Sequence, residues 1–107
     1  MQKPDIPELT EKDFDTVMKK GSWIIDFWAI WCAPCKVMEP HFEAAARELK
    51  GSVQCGKVNV DENYALAERF GIMAVPTTLF FKDGELVEQS AGILTKEQIL
   101  KKAREDL

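Results

Sequence analysis

The apolar and polar positions along the chain alternate between helical and extended spacing. Phe14, Val17 and Met18 recur at helical spacing. Thr10 with Asp13 three residues on reads as a capping box, Leu9 and Phe14 as the hydrophobic staple around it, and Lys19-Lys20-Gly21 as the stop. Trp23 to Ile30 is apolar almost throughout. That run is too continuous for a half-exposed strand and predicts a central strand covered on both faces. One carboxylate, Asp26, interrupts it. A second helix starts at Cys32-Ala33-Pro34-Cys35, with Pro34 in the first turn, where a missing N–H costs nothing. Met38, Phe42, Ala45, Ala46 and Leu49 form its buried stripe, and Pro40 inside it predicts a kink.

Val53 to Val60 is rich in β-branched residues and reads as a strand, with Gly56 marking an irregularity. Asn63 to Phe70 predicts a short helix stopped by Gly71. Thr77 to Phe81 and Glu85 to Gln89 predict two strands joined through Lys82-Asp83-Gly84, where Asp-Gly is a strong hairpin signal. Thr95 with Gln98 repeats the capping box, Leu94 with Ile99 repeats the staple, and the last helix runs to the C-terminus. Helix, strand, helix, strand, helix, hairpin, helix is the order of a mixed sheet. Its first two strands are parallel through a crossover helix, an antiparallel hairpin follows, and helices cover both faces.

Length and composition narrow the function. A chain of 107 residues predicts one domain, residues 1–107. Hydrophobic residues at 46% and charged residues at 30% are globular values. The formal net charge of −4 supplies no basic footprint, which argues against nucleic acid and anionic membrane as partners. No apolar stretch reaches the about 18 residues needed to span a bilayer. The opening Met1-Gln2-Lys3-Pro4-Asp5 lacks the apolar core of a secretory signal. Three cysteines are too few, and odd in number, for a disulfide scaffold, so a reducing, cytoplasmic setting is expected.

Two cysteines separated by two residues can hold a metal, staple a loop or shuttle electrons. The predicted elements place Cys32 at the N-terminus of a helix, just past the carboxyl end of a central strand. Free N–H groups and the positive end of the helix dipole there favour the thiolate, which is the nucleophile. Cys35 lies one turn on, faces inward, and is close enough to close a disulfide. Cys32 is therefore expected to be the activated, exposed thiol that attacks, and Cys35 the one that resolves. A C-x-x-C beside a βαβ pattern reads as a redox motif in a cytosolic chain. Zinc could recruit Cys32, Cys35, His41 and Cys55, but His41 shares a helix with the first two, Cys55 is in a strand, and no second short-spaced pair exists. Asp26 calls for a special reason, since a charge in an apolar run is costly. Cys55 reads as a small buried hydrophobe, His41 as a partly solvated residue without a role, and Trp23 as packing. Trp28 and Trp31 flank and shield the motif, and Met73 fits either a contact or a filler.

The chain resembles the thioredoxin family over nearly its whole length. The matching stretches are Asp26-Phe27-Trp28-Ala29, Trp31-Cys32-Ala33-Pro34-Cys35-Lys36, Pro40 within the helix, Lys57-Val58-Asn59-Val60-Asp61, Val75-Pro76-Thr77, Asp83-Gly84 and Gly92. The resemblance implies an α/β thioredoxin fold: three layers, with a mixed four- or five-stranded central sheet flanked by four helices. It implies that Cys32 attacks a target disulfide and Cys35 resolves the mixed disulfide. Asp26 and Lys57 would form a buried pair beneath Cys35 that moves its proton. A cis peptide would precede Pro76, and the backbone around Val75 would pair with an extended target segment. Trp31, Ala33, Pro34, Val60, Ala74, Ala91 and Gly92 would rim an apolar docking patch. No cofactor or metal is expected, because the cysteine pair itself carries two electrons. The implied partners of this monomer are disulfide-containing proteins and an electron-donating thioredoxin reductase.

The chain departs from the family pattern in three ways: Ala33 where Gly is commonest, Pro4 and Pro7 where a first strand is usual, and the extra thiol Cys55. Proline cannot donate to a ladder, so that first strand is expected to be short or absent. The alternatives to a reductase are an oxidase or isomerase of the same fold and a non-enzymatic binding subunit.

Overall fold

The apolar run becomes β1 (Ser22–Trp28) in the computed structural model, which describes residues 4–107. Met1–Lys3, where part of the missing-signal argument rests, lie outside the described residues. β1 pairs in parallel with β2 (Gln54–Asn59) and antiparallel with β3 (Thr77–Lys82), which in turn pairs with β4 (Glu85–Ala91). The sheet order is β2-β1-β3-β4, so β1 is interior, as its nearly continuous apolar run requires.

Successive residues of β1 serve opposite layers, because side chains alternate across a strand. Ile24 joins Phe80 and Cys55 under α2 (Ala33–Leu49) and α4 (Lys96–Asp106), where Met38, Phe42, Ile99 and Leu100 complete the core. Ile25 and Phe27 face the other way with Leu79 and Phe81, against Phe14 and Met18 of α1 (Phe14–Met18) and Leu66 of α3 (Tyr64–Arg69). The result is the expected three-layer α/β/α arrangement, with a mixed four-stranded sheet and four helices among the described residues. No helix among them is long and apolar enough to cross a membrane.

The local signals differ in how well they hold. The box at α4 forms in full: the Thr95 hydroxyl accepts the Gln98 N–H, and the Gln98 side chain accepts the Thr95 N–H. At α1 only half forms. The Asp13 carboxylate accepts the Thr10 N–H at 2.8 Å, but the Thr10 hydroxyl turns to that same carboxylate, and the helix begins at Phe14. Asp83 and Gly84 both take positive φ, 49° and 86°, the mirror-image turn that suits a hairpin. β1 stops at Trp28, short of Ile30, which is 70% exposed; β4 runs two residues past Gln89 to Ala91. α2 continues through Pro40.

Gly56 proves to be a place of close approach and not an irregularity, since β2 stays in register with β1 through it. A Cβ there would come within 3.1 Å of Leu9 Cδ1 and 3.3 Å of Ile25 Cδ1. The N-terminal segment lies in that space. Lys57 N–H donates to the Pro7 carbonyl at 2.9 Å, and Leu9 N–H to the Lys57 carbonyl at 2.8 Å. Among the described residues, this single parallel bridge at Glu8 is all that stands where a fifth strand was possible. Pro7 can still accept at this sheet edge although it cannot donate.

Candidate active site

β1 delivers the chain through Ala29, Ile30 and Trp31 to Cys32, which caps α2 in an extended conformation, with Ala33 and Pro34 in the first turn. At that N-terminus the Cys35 N–H donates to Cys32 Sγ at 3.1 Å. An amide hydrogen bond to sulfur, together with the positive end of a 17-residue helix, stabilises charge on Cys32 and no other cysteine. Cys32 and Cys35 are joined as a disulfide, with Cα atoms 5.3 Å apart. In this oxidised form Cys32 is 3% exposed, so its position at the helix end, and not exposure, singles it out. Ala29 and both cysteines form a small cluster covered by Trp28, Val60 and Val75.

The residues expected to rim a docking patch come from four parts of the chain. Val75 precedes a cis peptide to Pro76, and its carbonyl oxygen lies 3.4 Å from Cys32 Sγ. The Gly92 N–H donates to the Pro76 carbonyl at 2.8 Å, and Ala91 pairs with Thr77, so Ala91 and Gly92 border the same loop. Trp31, 68% exposed, donates its indole N–H to Asp61 at 2.8 Å. Trp31, Val60, Ala74 and Val75 line one cavity of about 240 Å³, whereas Ala33 and Pro34 are exposed at the start of α2 outside its lining. Tyr64, Ile72 and Met73 line that cavity too. Met73, undecided from the sequence, is 95% exposed there. The sequence did not place Tyr64 and Ile72 at this cavity, because each sits in a helix-like or loop context with no local sign of what faces it. Another cavity, of about 510 Å³, lies beside Trp23 and Cys55, away from the Cys32–Cys35 pair.

Asp26 is 1% exposed and its Oδ1 has no hydrogen-bond partner. Burial pushes its carboxyl up to about 7; Lys57 opposes the shift, and Glu8 and Glu39 add to it. Lys57 stands opposite Asp26 in the parallel register, yet no ion pair joins the two. Its ammonium instead meets Glu39 at 3.2 Å and lies over the Trp28 ring, 4.8 Å from the centroid. The expected buried pair is therefore a cross-strand neighbourhood and not a direct contact. Two carboxylates compete for one lysine, which the sequence did not reveal.

The zinc set is not assembled: among the described residues no three His, Cys, Asp or Glu side chains group as metal ligands. Cys55 is a free buried thiol pushed up to about 12 by burial, as a small hydrophobe would be. His41 does have a structural task. Its Nδ1 accepts the N–H of Lys96, the first residue of α4, at 3.1 Å.

A family model described as thioredoxin matches residues 5–105. Thioredoxins of Staphylococcus aureus strains Mu50, MW2 and N315 are each 38% identical over 94 residues, covering 88% of this chain and 90% of their own length. With the cysteine pair closed at the head of α2 and the match running through every element that holds it there, the chain belongs to the thioredoxin family and is a protein thiol–disulfide oxidoreductase.

Proposed function

We propose that this chain is a general reductant of protein disulfides in the cytoplasm, working as one monomeric domain, and that a thioredoxin reductase restores its dithiol. The observation that carries this reading is the hydrogen bond donated by the Cys35 N–H to the Cys32 sulfur at the N-terminus of α2, which activates one thiol and holds its partner within reach. The Cys32 thiolate attacks one sulfur of a target disulfide, the target S–S bond breaks, and one target sulfur leaves as a thiolate. Cys35 then attacks the Cys32 sulfur of the mixed disulfide while its thiol proton passes to Asp26. The Cys32–Cys35 bond forms, the bond from Cys32 to the target breaks, and the second target sulfur leaves as a thiolate. Two electrons have moved from chain to target, and the proton on Asp26 is released afterwards.

The backbone at Val75, ahead of the cis bond to Pro76 and beside Cys32, suits an extended target segment added as a strand. Trp31, Ala33, Pro34, Val60, Ala74, Ala91 and Gly92 would supply the apolar surface around it. The chemistry needs no bound cofactor, since the electrons reside on Cys32 and Cys35. Equilibration with glutathione tests the reading. A potential well below that of the glutathione couple is expected, and one in the oxidase range would overturn the reductase assignment.

A further inference from the structure

Asp26 and Lys57 share a register position, and Ile24 and Cys55, two residues before them, both pack under α2. Both side chains therefore leave the sheet on the face that α2 covers. The Lys57 ammonium has two carboxylates within its range. Asp26 is buried and lacks a partner on Oδ1, while the Glu39 side chain, one turn after Cys35, is half exposed. The ammonium goes to Glu39. The reason is solvation: meeting the already buried Asp26 would strip the remaining water from the ammonium, whereas beside Glu39 the lysine borders a cavity of about 260 Å³ that also reaches Cys35. Trp28 lies under the ammonium and is itself anchored, its indole N–H donating to Glu8 at 3.2 Å.

We propose that Glu39 is a positioning residue that, by holding Lys57 away from Asp26, keeps the buried carboxyl able to take up and hold the resolving proton. The inference builds on the proton-transfer role given to Asp26 above. The charged groups facing Asp26 are Lys57 from β2, Glu39 from α2 and Glu8 from the N-terminal segment; its partner on β3 is the uncharged Thr78. Lys57 lowers the carboxyl's hold on its proton and the two glutamates raise it, which is the balance the geometry requires. Glu39 takes no part in any bond made or broken. Without its charge, Lys57 is free to turn toward Asp26 and stabilise the carboxylate.

The test is Glu39→Gln, a surface change that leaves the core intact. The Asp26 carboxyl is titrated directly by carbon NMR in the oxidised protein. Its midpoint is expected to fall by about 0.5–1 pH unit in the variant, the size of effect that one nearby charge has on a buried site. An unchanged or raised midpoint overturns the proposal. In a Lys57→Met background the same substitution should shift the midpoint by less than half as much. A shift of full size there shows that Glu39 does not act through Lys57 and also overturns it. Single-turnover reduction of insulin across pH separates this from the role of Asp26. A rate midpoint that moves with the titration supports both. A titration that moves while the rate midpoint stays supports the hold of Glu39 on Asp26 and sinks Asp26 as the proton carrier.

Discussion

The Cys35 amide points at the Cys32 sulfur from 3.1 Å while the two sulfurs are joined, so Cys35 supports Cys32 through its backbone as well as through the disulfide. The relationship is unsymmetrical: Cys32 receives the helix N-terminus, and Cys35 sits inside the first turn. Cys32→Ser should abolish reduction of a protein disulfide, because it removes the only thiol so placed. Cys35→Ser should still attack but fail to resolve, and covalent adducts with targets should accumulate on non-reducing gels. If Cys32→Ser remains active while Cys35→Ser is dead, the two roles are reversed.

Asp26 gives stability a defined pH dependence. Its folded value of about 7 lies above the unfolded value of about 3.9, so the folded state holds the proton more tightly. The group favours folding fully below the unfolded value, and that contribution is lost as pH rises through the folded value. A separation of about three units corresponds to a penalty on the order of 4 kcal/mol at alkaline pH. Asp26→Ala should therefore be more stable than the parent at pH 8, by about 2–3 kcal/mol once the truncated contacts are subtracted. Near pH 4 the gain should vanish. Denaturant unfolding across pH reads this directly, and a variant less stable than the parent at pH 8 would contradict it. The same variant should release mixed disulfides more slowly.

Cys55 should behave as an inert thiol. Burial pushes it up to about 12, so almost no thiolate exists at pH 8 and native protein should resist iodoacetamide at this position. Cys55→Ala should cost about 1 kcal/mol and leave turnover nearly unchanged. Rapid labelling without denaturant, or a large loss of activity, would show the site to be open or functional.

His41 links α2 to α4 by accepting the Lys96 N–H. Its replacement by Ala leaves that donor at the helix start without its partner, at a cost of about 1 kcal/mol. Thermal unfolding should shift down by several degrees, with insulin reduction unaltered, since nothing joins His41 to the cysteines chemically. An unchanged melting temperature would mean that water replaces the ring at no loss.

What the sequence by itself determined is what depends on neighbours along the chain. The apolar run of β1, the full capping box at Thr95, the Asp83-Gly84 turn and the helix that starts at Cys32 each follow from spacing of a few residues. The cysteine chemistry was legible for the same reason, since helix end, nucleophile and resolving thiol lie within one turn. The resemblance to a family added the cis bond at Pro76, which no local pattern announces. Tertiary structure decided the rest. Gly56 was misread because its neighbours, Leu9 and Ile25, come from other segments. Cys32 is buried in the oxidised form because Val60 and Val75 close over it from distant loops. Whether Lys57 pairs with Asp26 or Glu39 depends on which carboxylate keeps its partner near water, and only the packing of α2 over β1 and β2 settles that.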